Sequence, residues 1–163
     1  EMDILPDGSL DYDNEVLAQL DYVIAAIHQS FNQSEDEIMK RLEVACKNPY
    51  VRHIAHPTGR IIGRRPGYKP NIEKLMKLAE ETNTILEINA NPKRLDLNAE
   101  TVRKYPNVKL TINTDAHHTN HLEFMKYGVA TAQKGFVAKD RVVNALSREE
   151  FKSLIENNIK LRK

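Results

Sequence analysis

The sequence predicts an α/β fold built on a parallel sheet, and three observations predict it. Short apolar β-prone runs alternate with stretches of helical period, the pattern of successive βα units. The runs are nearly continuous in apolar residues, as suits strands covered on both faces. Polar side chains of metal-binding type recur at the ends of these runs, where a parallel sheet gathers its loops on one rim.

Taken in order, the strands are expected at Tyr22 to Ile27, Val51 to Ala55, Ile85 to Ile88 and Lys109 to Ile112, with a stub at Met2 to Leu5. Between the first two full strands, Ser34 and Glu37 form a capping box ahead of Ile38, Leu42, Ala45 and Cys46, which share one helical face. A helix from Ser34 to Lys47 follows. The stretch Asn71 to Thr82 carries Ile72, Leu75, Met76 and Ala79 at helical spacing. Ser147 and Glu150 cap a last helix bearing Phe151, Leu154 and Ile155. These stripes are core.

At 163 residues the chain suits one domain. The apolar share of 40% and charged share of 29% are those of a folded, water-facing chain rather than a disordered one. Twenty-four basic against 23 acidic side chains leave a net charge of +1, so any contact with a polyanion must be local. The lone Cys46 has no partner for an internal disulfide and fits a small buried position in a reducing compartment. No apolar run has membrane-spanning length, and the acidic start EMDILPDG is unlike a signal peptide, so a cytoplasmic location is expected. The basic tail IKLRK reads as a solvated end.

His28 follows the strand YVIAAI, His56 follows VRHIA, Glu87 lies within ILEINA, and Asp115 with His117 follow LTINT. Each has a structural reading: His28 as a hydrogen-bonded histidine, His56 as part of a turn before Pro57, Asp115 as a helix cap, Glu1 as an exposed end. Their recurrence at successive strand ends favours a joint site. Its mixed nitrogen and oxygen donors suit zinc, manganese or iron, and such ligands arranged around neighbouring metals suit phosphoester hydrolysis. His53, offset by three from His56, should face elsewhere and be structural. His118 and His121 line the rim or are solvated.

Arg60, Arg64 and Arg65 lie in the loop TGRIIGRRPGY, and Arg94 lies in NANPKRLDL. Guanidinium forks match phosphate oxygens, and Arg60 and Arg94 are the candidates for that role. Arg64 and Arg65 are equally readable as surface charges. Tyr68 either packs or stacks on a base.

The segments AAIHQSF, HIAHPTGRIIGRR, LEINANPKRLDLN and NTDAHHTNHL resemble the later metal-binding and rim motifs of the polymerase and histidinol phosphatase superfamily. The form with LEINANP and RLDL is most similar to the domain found in bacterial family X DNA polymerases. The resemblance covers essentially the whole chain. It implies a distorted seven-stranded βα barrel holding up to three divalent metals, manganese or zinc. It implies metal-ligand roles for Glu1, His28, His56, Asp115 and His117, with Asp115 and His117 also counted as catalytic. The implied activity is a metal-dependent 3′ to 5′ exonuclease processing DNA ends in repair, with single-stranded ends and an upstream polymerase region as partners. Histidinol-phosphatase-like hydrolysis of a small molecule and a noncatalytic polymerase module are the alternatives. The family's opening His-x-His motif has no counterpart here, so residues 1 to 163 are expected to be a single incomplete domain, inactive in isolation.

Overall fold

A computed structural model describes residues 1–161, with side chains described as far as Asn157. The side chains of the basic tail lie outside the described residues. The elements run β1 (Met2–Asp3), α1 (Asn14–Leu17), β2 (Val23–Ala26), α2 (Glu35–Lys47), β3 (Val51–Ile54), α3 (Ile72–Thr82), β4 (Ile85–Asn89), α4 (Ala99–Lys104), β5 (Leu110–Asn113), α5 (Met125–Lys134) and α6 (Arg148–Leu161). A 3₁₀ helix, Thr119–Phe124, leads into α5.

The five strands form one sheet in the order β1-β2-β3-β4-β5, every neighbouring pair parallel. The order never reverses, unlike that of a doubly wound sheet, which has a switch point. All strand C-termini therefore meet at one rim. The chain that returns to start each next strand carries the helices, and α2 packs on β3 and α3 while α5 packs on β4 and β5.

Local chemistry explains where the helices start. Ser34 and Glu37 form the expected capping box. Ser147 and Glu150 repeat the arrangement, each backbone N–H bonded by the other's side chain at 2.8 and 3.2 Å. Asn71 and Asn98 cap α3 and α4 through single side-chain bonds. The apolar stripe of α2 (Ile38, Leu42, Ala45, Cys46) and that of α3 (Leu75, Met76, Ala79) are buried against strands whose Val51, Ile54, Leu86 and Ile88 are inaccessible to solvent. Cys46 is free and buried. A second apolar cluster (Ile85, Val143 and Ile155 with Tyr22, Phe151 and Leu154) joins α6 to the starts of β2 and β4, so α6 covers the end of the sheet opposite the rim.

Buried cations pin the loops. Arg41 of α2 donates to the carbonyl of Gln29 at 3.1 Å and to that of Ile4, tying the chain after β2 to the chain after β1. Arg141 donates to the carbonyls of Val102, Tyr105 and Val108, satisfying the C-terminal end of α4.

His53 is structural, as expected. It is buried in β3, its Nε2 sharing a 2.9 Å hydrogen bond with the Thr111 hydroxyl on β5. Burial pushes its pKa down from 6.5 to about 3. Between those values the unfolded chain takes up a proton that the folded chain refuses, so His53 erodes stability as pH falls. Buried Glu87 and Asp96, whose pKa values burial raises, act in the opposite sense. Lowering the pH from roughly 6.5 to 5 should cost about 2 kcal/mol through His53 alone. Thermal unfolding across that range should show a shallower loss for His53→Gln than for wild type; parallel curves would assign the acid sensitivity elsewhere.

Candidate metal centre

The rim begins at β1. In a strand alternate residues share a face, so Glu1 and Asp3 project to the same side, and β2 delivers His28 opposite them. His28 is held from both nitrogens: Nε2 lies 2.9 Å from Glu1 Oε1, and Nδ1 is hydrogen-bonded to Asp3. His56, after β3, lies with Nε2 3.5 Å from the same Glu1 oxygen, and the two imidazoles meet edge to face at 5.1 Å between centroids. Glu1, His28 and His56 each offer a ligand atom, all within 4.8 Å of one another.

The charge state reflects the crowding. Hydrogen bonds from His28 and then His56 hold the Glu1 carboxyl well below the usual carboxylate range. The bond to Glu1, with that to Asp3 adding to it, raises the His28 pKa to about 8 against the opposing effect of burial. A histidine whose Nδ1 is fixed by a carboxylate presents its other nitrogen to an ion, a recurrent arrangement in metal sites. His56 is 2% exposed, and its Nδ1 is a buried nitrogen without a hydrogen-bond partner among the described residues. Two imidazoles and one carboxylate are a donor set that zinc and manganese accept. The residues fit a divalent ion.

Asp115 and His117 stand beside this trio rather than in it. Asp115 Oδ2 accepts from Arg94 Nε at 2.9 Å and from Asn89 Nδ2 at 3.2 Å. Asn89 also donates to Glu87 Oε2 at 3.1 Å, and the same oxygen accepts the His56 backbone N–H at 2.8 Å. A continuous network of hydrogen bonds therefore joins Asp115 to His56. Glu87, buried and further bonded to Asn113 at 2.9 Å, is the hub of that network and offers no free oxygen. The His117 side chain is 79% exposed, with Nδ1 2.8 Å from the Asp115 carbonyl oxygen, which leaves Nε2 facing outward.

Backbone strain clusters on the same rim. Each of the loops after β2, β3, β4 and β5 contains a non-glycine residue with positive φ: Ser30 at 57°, His56 at 30°, Leu95 at 45° and Asp115 at 51°. Such conformations cost on the order of 1–3 kcal/mol each and persist where the surroundings enforce them, typically at functional sites.

The loops after β3 and β4 are zipped together. Arg60 donates through Nε to the Arg94 carbonyl at 2.7 Å and through Nη2 to that of Leu95, and Ile62 N–H donates to the Lys93 carbonyl at 2.7 Å. Asp96, buried, accepts from the Thr58 backbone and hydroxyl, both at 2.8 Å. Arg60 thus spends much of its fork holding the Arg94 loop. Arg94 is 15% exposed, pairs with Asp115 through Nε, and keeps a buried Nη1 without a partner among the described residues. Arg65 lies over the Phe31 ring at 4.0 Å, while Arg64 is exposed. Tyr68 is core: it is 1% exposed, packs on Phe31 at 5.5 Å and reaches the His56 carbonyl at 3.4 Å. Gly59 makes that packing possible, since a Cβ there would lie 2.6 Å from both rings and its φ is +61°.

Over 160 residues, 97% of this chain, the sequence is 55% identical to the DNA polymerase/3′-5′ exonuclease PolX of Bacillus subtilis (strain 168). The chain is similar to a part of that relative. It spans 28% of that relative's length. A probable phosphatase of Thermoanaerobacter sp. (strain X514) is 28% identical over 149 residues, 85% of this chain and 58% of the phosphatase. Another, from Caldanaerobacter subterraneus subsp. tengcongensis, is 38% identical over 86 residues, 51% of this chain and 32% of the relative. No family model matches.

The residues that sequence reasoning passed over at this site are Asp3, Asn89 and Arg41. Asp3 had a signal, its spacing of two from Glu1 in a strand. Asn89 is hidden inside an apolar strand motif, and Arg41 carries no sequence sign of its bonds to the Gln29 and Ile4 carbonyls.

Proposed function

We infer that this chain is part of a metal-dependent phosphoesterase domain, acting in a longer protein as a 3′-5′ exonuclease on DNA ends. The observation that supports it best is the convergence of Glu1, His28 and His56 from three successive strand ends. The likeness to a protein named as a polymerase and 3′-5′ exonuclease, and to proteins named as probable phosphatases, points to the same chemistry. On this reading the five parallel strands are an arc of a seven-stranded barrel, and residues 1–163 are one incomplete domain. A cytoplasmic enzyme is the natural setting. Among the described residues no helix is long and apolar enough to cross a membrane.

Glu1, His28 and His56 would hold a divalent ion, with Asp115 and His117 as ligands or proton-handling groups for others of up to three. Zinc or manganese bound there would supply positive charge to phosphate oxygens and acidify water. Asp3 keeps the Nδ1 of His28 engaged, and Glu87 holds the His56 backbone. Arg94, whose Nη1 has no partner among the described residues, is the proposed donor to a substrate phosphate oxygen. Arg60 supports it by positioning the loop. The second reading, a small-molecule phosphatase, is favoured by the probable phosphatases among the relatives.

The test is hydrolysis by the full-length protein of labelled single-stranded DNA and of histidinol phosphate, with and without manganese or zinc. Metal-dependent shortening of the DNA from its 3′ end is expected. Hydrolysis of histidinol phosphate alone would favour the second reading, and hydrolysis of neither would overturn both. Arg94→Ala should slow DNA cleavage roughly tenfold to a hundredfold, the worth of one hydrogen bond to a charged group, while metal content stays near that of wild type. Equal loss of metal and rate would instead make Arg94 a support for Asp115.

A further inference from the structure

Beyond Glu1, His28 and His56, the rim carries a row of aromatic rings. From His118 the rings of His118, His121, Phe124 and Tyr127 follow one another at intervals of three residues. Their centroids are 6.1, 4.9 and 6.2 Å apart, and His121 lies stacked on Phe124 with 22° between planes. The backbone produces this row. Thr119–Phe124 is a 3₁₀ helix of six residues, longer than such helices usually run. With three residues per turn, side chains at i and i+3 eclipse, so the rings line up instead of spiralling away as they would on an α-helix.

The row is joined to the candidate site. The backbone N–H of His117 donates to His121 Nδ1 at 3.2 Å, so the neutral imidazole of His121 carries its proton on Nε2. His117 touches Asp115, which pairs with Arg94. Phe124 rests against the core and anchors the row from beneath. The other end is open: Tyr127 is 42% exposed, beside Leu122 at 64% and Met125 at 39%. The surroundings are weakly basic: between His117 and Phe136 the sole acid is Glu123, against Lys126 and Lys134, and Lys126 Nζ lies 5.3 Å from the Tyr127 ring centroid.

We propose that His118, His121, Phe124 and Tyr127 form a base-stacking track for single-stranded nucleic acid, leading its end to the strand-end trio. The proposal rests on the phosphoesterase reading above and adds the part of the substrate that the enzyme grips away from the reacting phosphate. A row of rings exposed at His118 and Tyr127 and flanked by Lys126 matches a polyanion whose π-faces are free, and every base offers such a face. Duplex bases are already stacked on one another, so the track selects single strands. A small phosphorylated metabolite reaches the ion-binding residues without touching the track.

The experiment is fluorescence anisotropy of the full-length protein with a labelled oligothymidylate and with an abasic strand of equal length, in the presence of a chelator. Stacking is worth about 1–3 kcal/mol per base, so Tyr127→Ala should weaken oligothymidylate binding about fivefold to tenfold or more. Tyr127→Phe should retain affinity, His118→Ala should show a smaller loss, and the abasic strand should bind wild type and Tyr127→Ala alike. Equal weakening on both strands, or none on either, would overturn the track. A lowered unfolding temperature with no base-dependent loss would overturn it too, and would show the rings packing against another segment of the protein. Because binding is read without metal, failure to hydrolyse any phosphoester would sink the functional reading and leave this result standing.

Discussion

Asp115→Asn in the full-length protein should reduce metal-dependent nuclease activity by on the order of a hundredfold or more, while leaving the fold intact. The amide keeps the volume of the carboxylate and tolerates the left-handed backbone at this position, where φ is 51°. It can still accept from Arg94 or Asn89, so the 2.9 and 3.2 Å contacts need not both be lost. What disappears is a full negative charge at a strand end. That charge balances Arg94 on one side and is available to a divalent ion on the other, and an amide binds such ions more weakly. Removing one principal electrostatic contact from a preorganised site typically costs this much in rate. A helix cap would behave differently, since asparagine caps about as well as aspartate. Exonuclease rate on single-stranded DNA with manganese, read beside unfolding temperature and metal content, decides the matter: a near-normal rate at full occupancy removes Asp115 from the site.

The fold was largely legible because its signals were local. Apolar runs marked β2 to β5 to within a residue or two, and side chains at Ser34 and Ser147 marked helix starts through bonds that span only three residues. The helices α4 and α5 were less visible. Val102 is the only buried residue of α4, and α5 buries only Gly128 and Ala132, which carry almost no periodic signal. Within the site, His28 and His56 could be found because each ends an apolar strand. The partnership of Asp3 with His28 spans 25 residues, and that of Glu87 with the His56 backbone spans 31. Contacts of that separation depend on strand register, which a single sequence does not display. The same is true of Arg60, whose composition suggested phosphate and whose geometry shows a clasp on the Arg94 loop.

His28→Ala should abolish the stabilisation that manganese or zinc confers on the full-length protein, and should cut the metal-dependent rate by a hundredfold or more. His28 is the member of the trio best suited to this test. Its side chain is 40% exposed, so truncation opens no cavity, whereas His56 is buried, on a strained backbone whose carbonyl accepts from Tyr68. An ion that binds only the folded state stabilises it by RT ln(1 + [M]/Kd), about 2.7 kcal/mol at a hundredfold excess over Kd. With one of two imidazoles gone, the remaining His56 and Glu1 are a weak pair of donors, and the unfolding temperature of the variant should no longer climb with added metal. Asp3→Asn supplies the graded control. It keeps His28 in place but replaces the carboxylate at its Nδ1 with a weaker acceptor, and outer partners of this kind typically account for a tenfold to hundredfold change in metal affinity. The metal titration of Asp3→Asn should therefore shift to higher concentration without vanishing. If His28→Ala and wild type gained equal stability from metal, the ion would have to be held elsewhere, and the meeting of Glu1, His28 and His56 would be only a hydrogen-bonded strand junction.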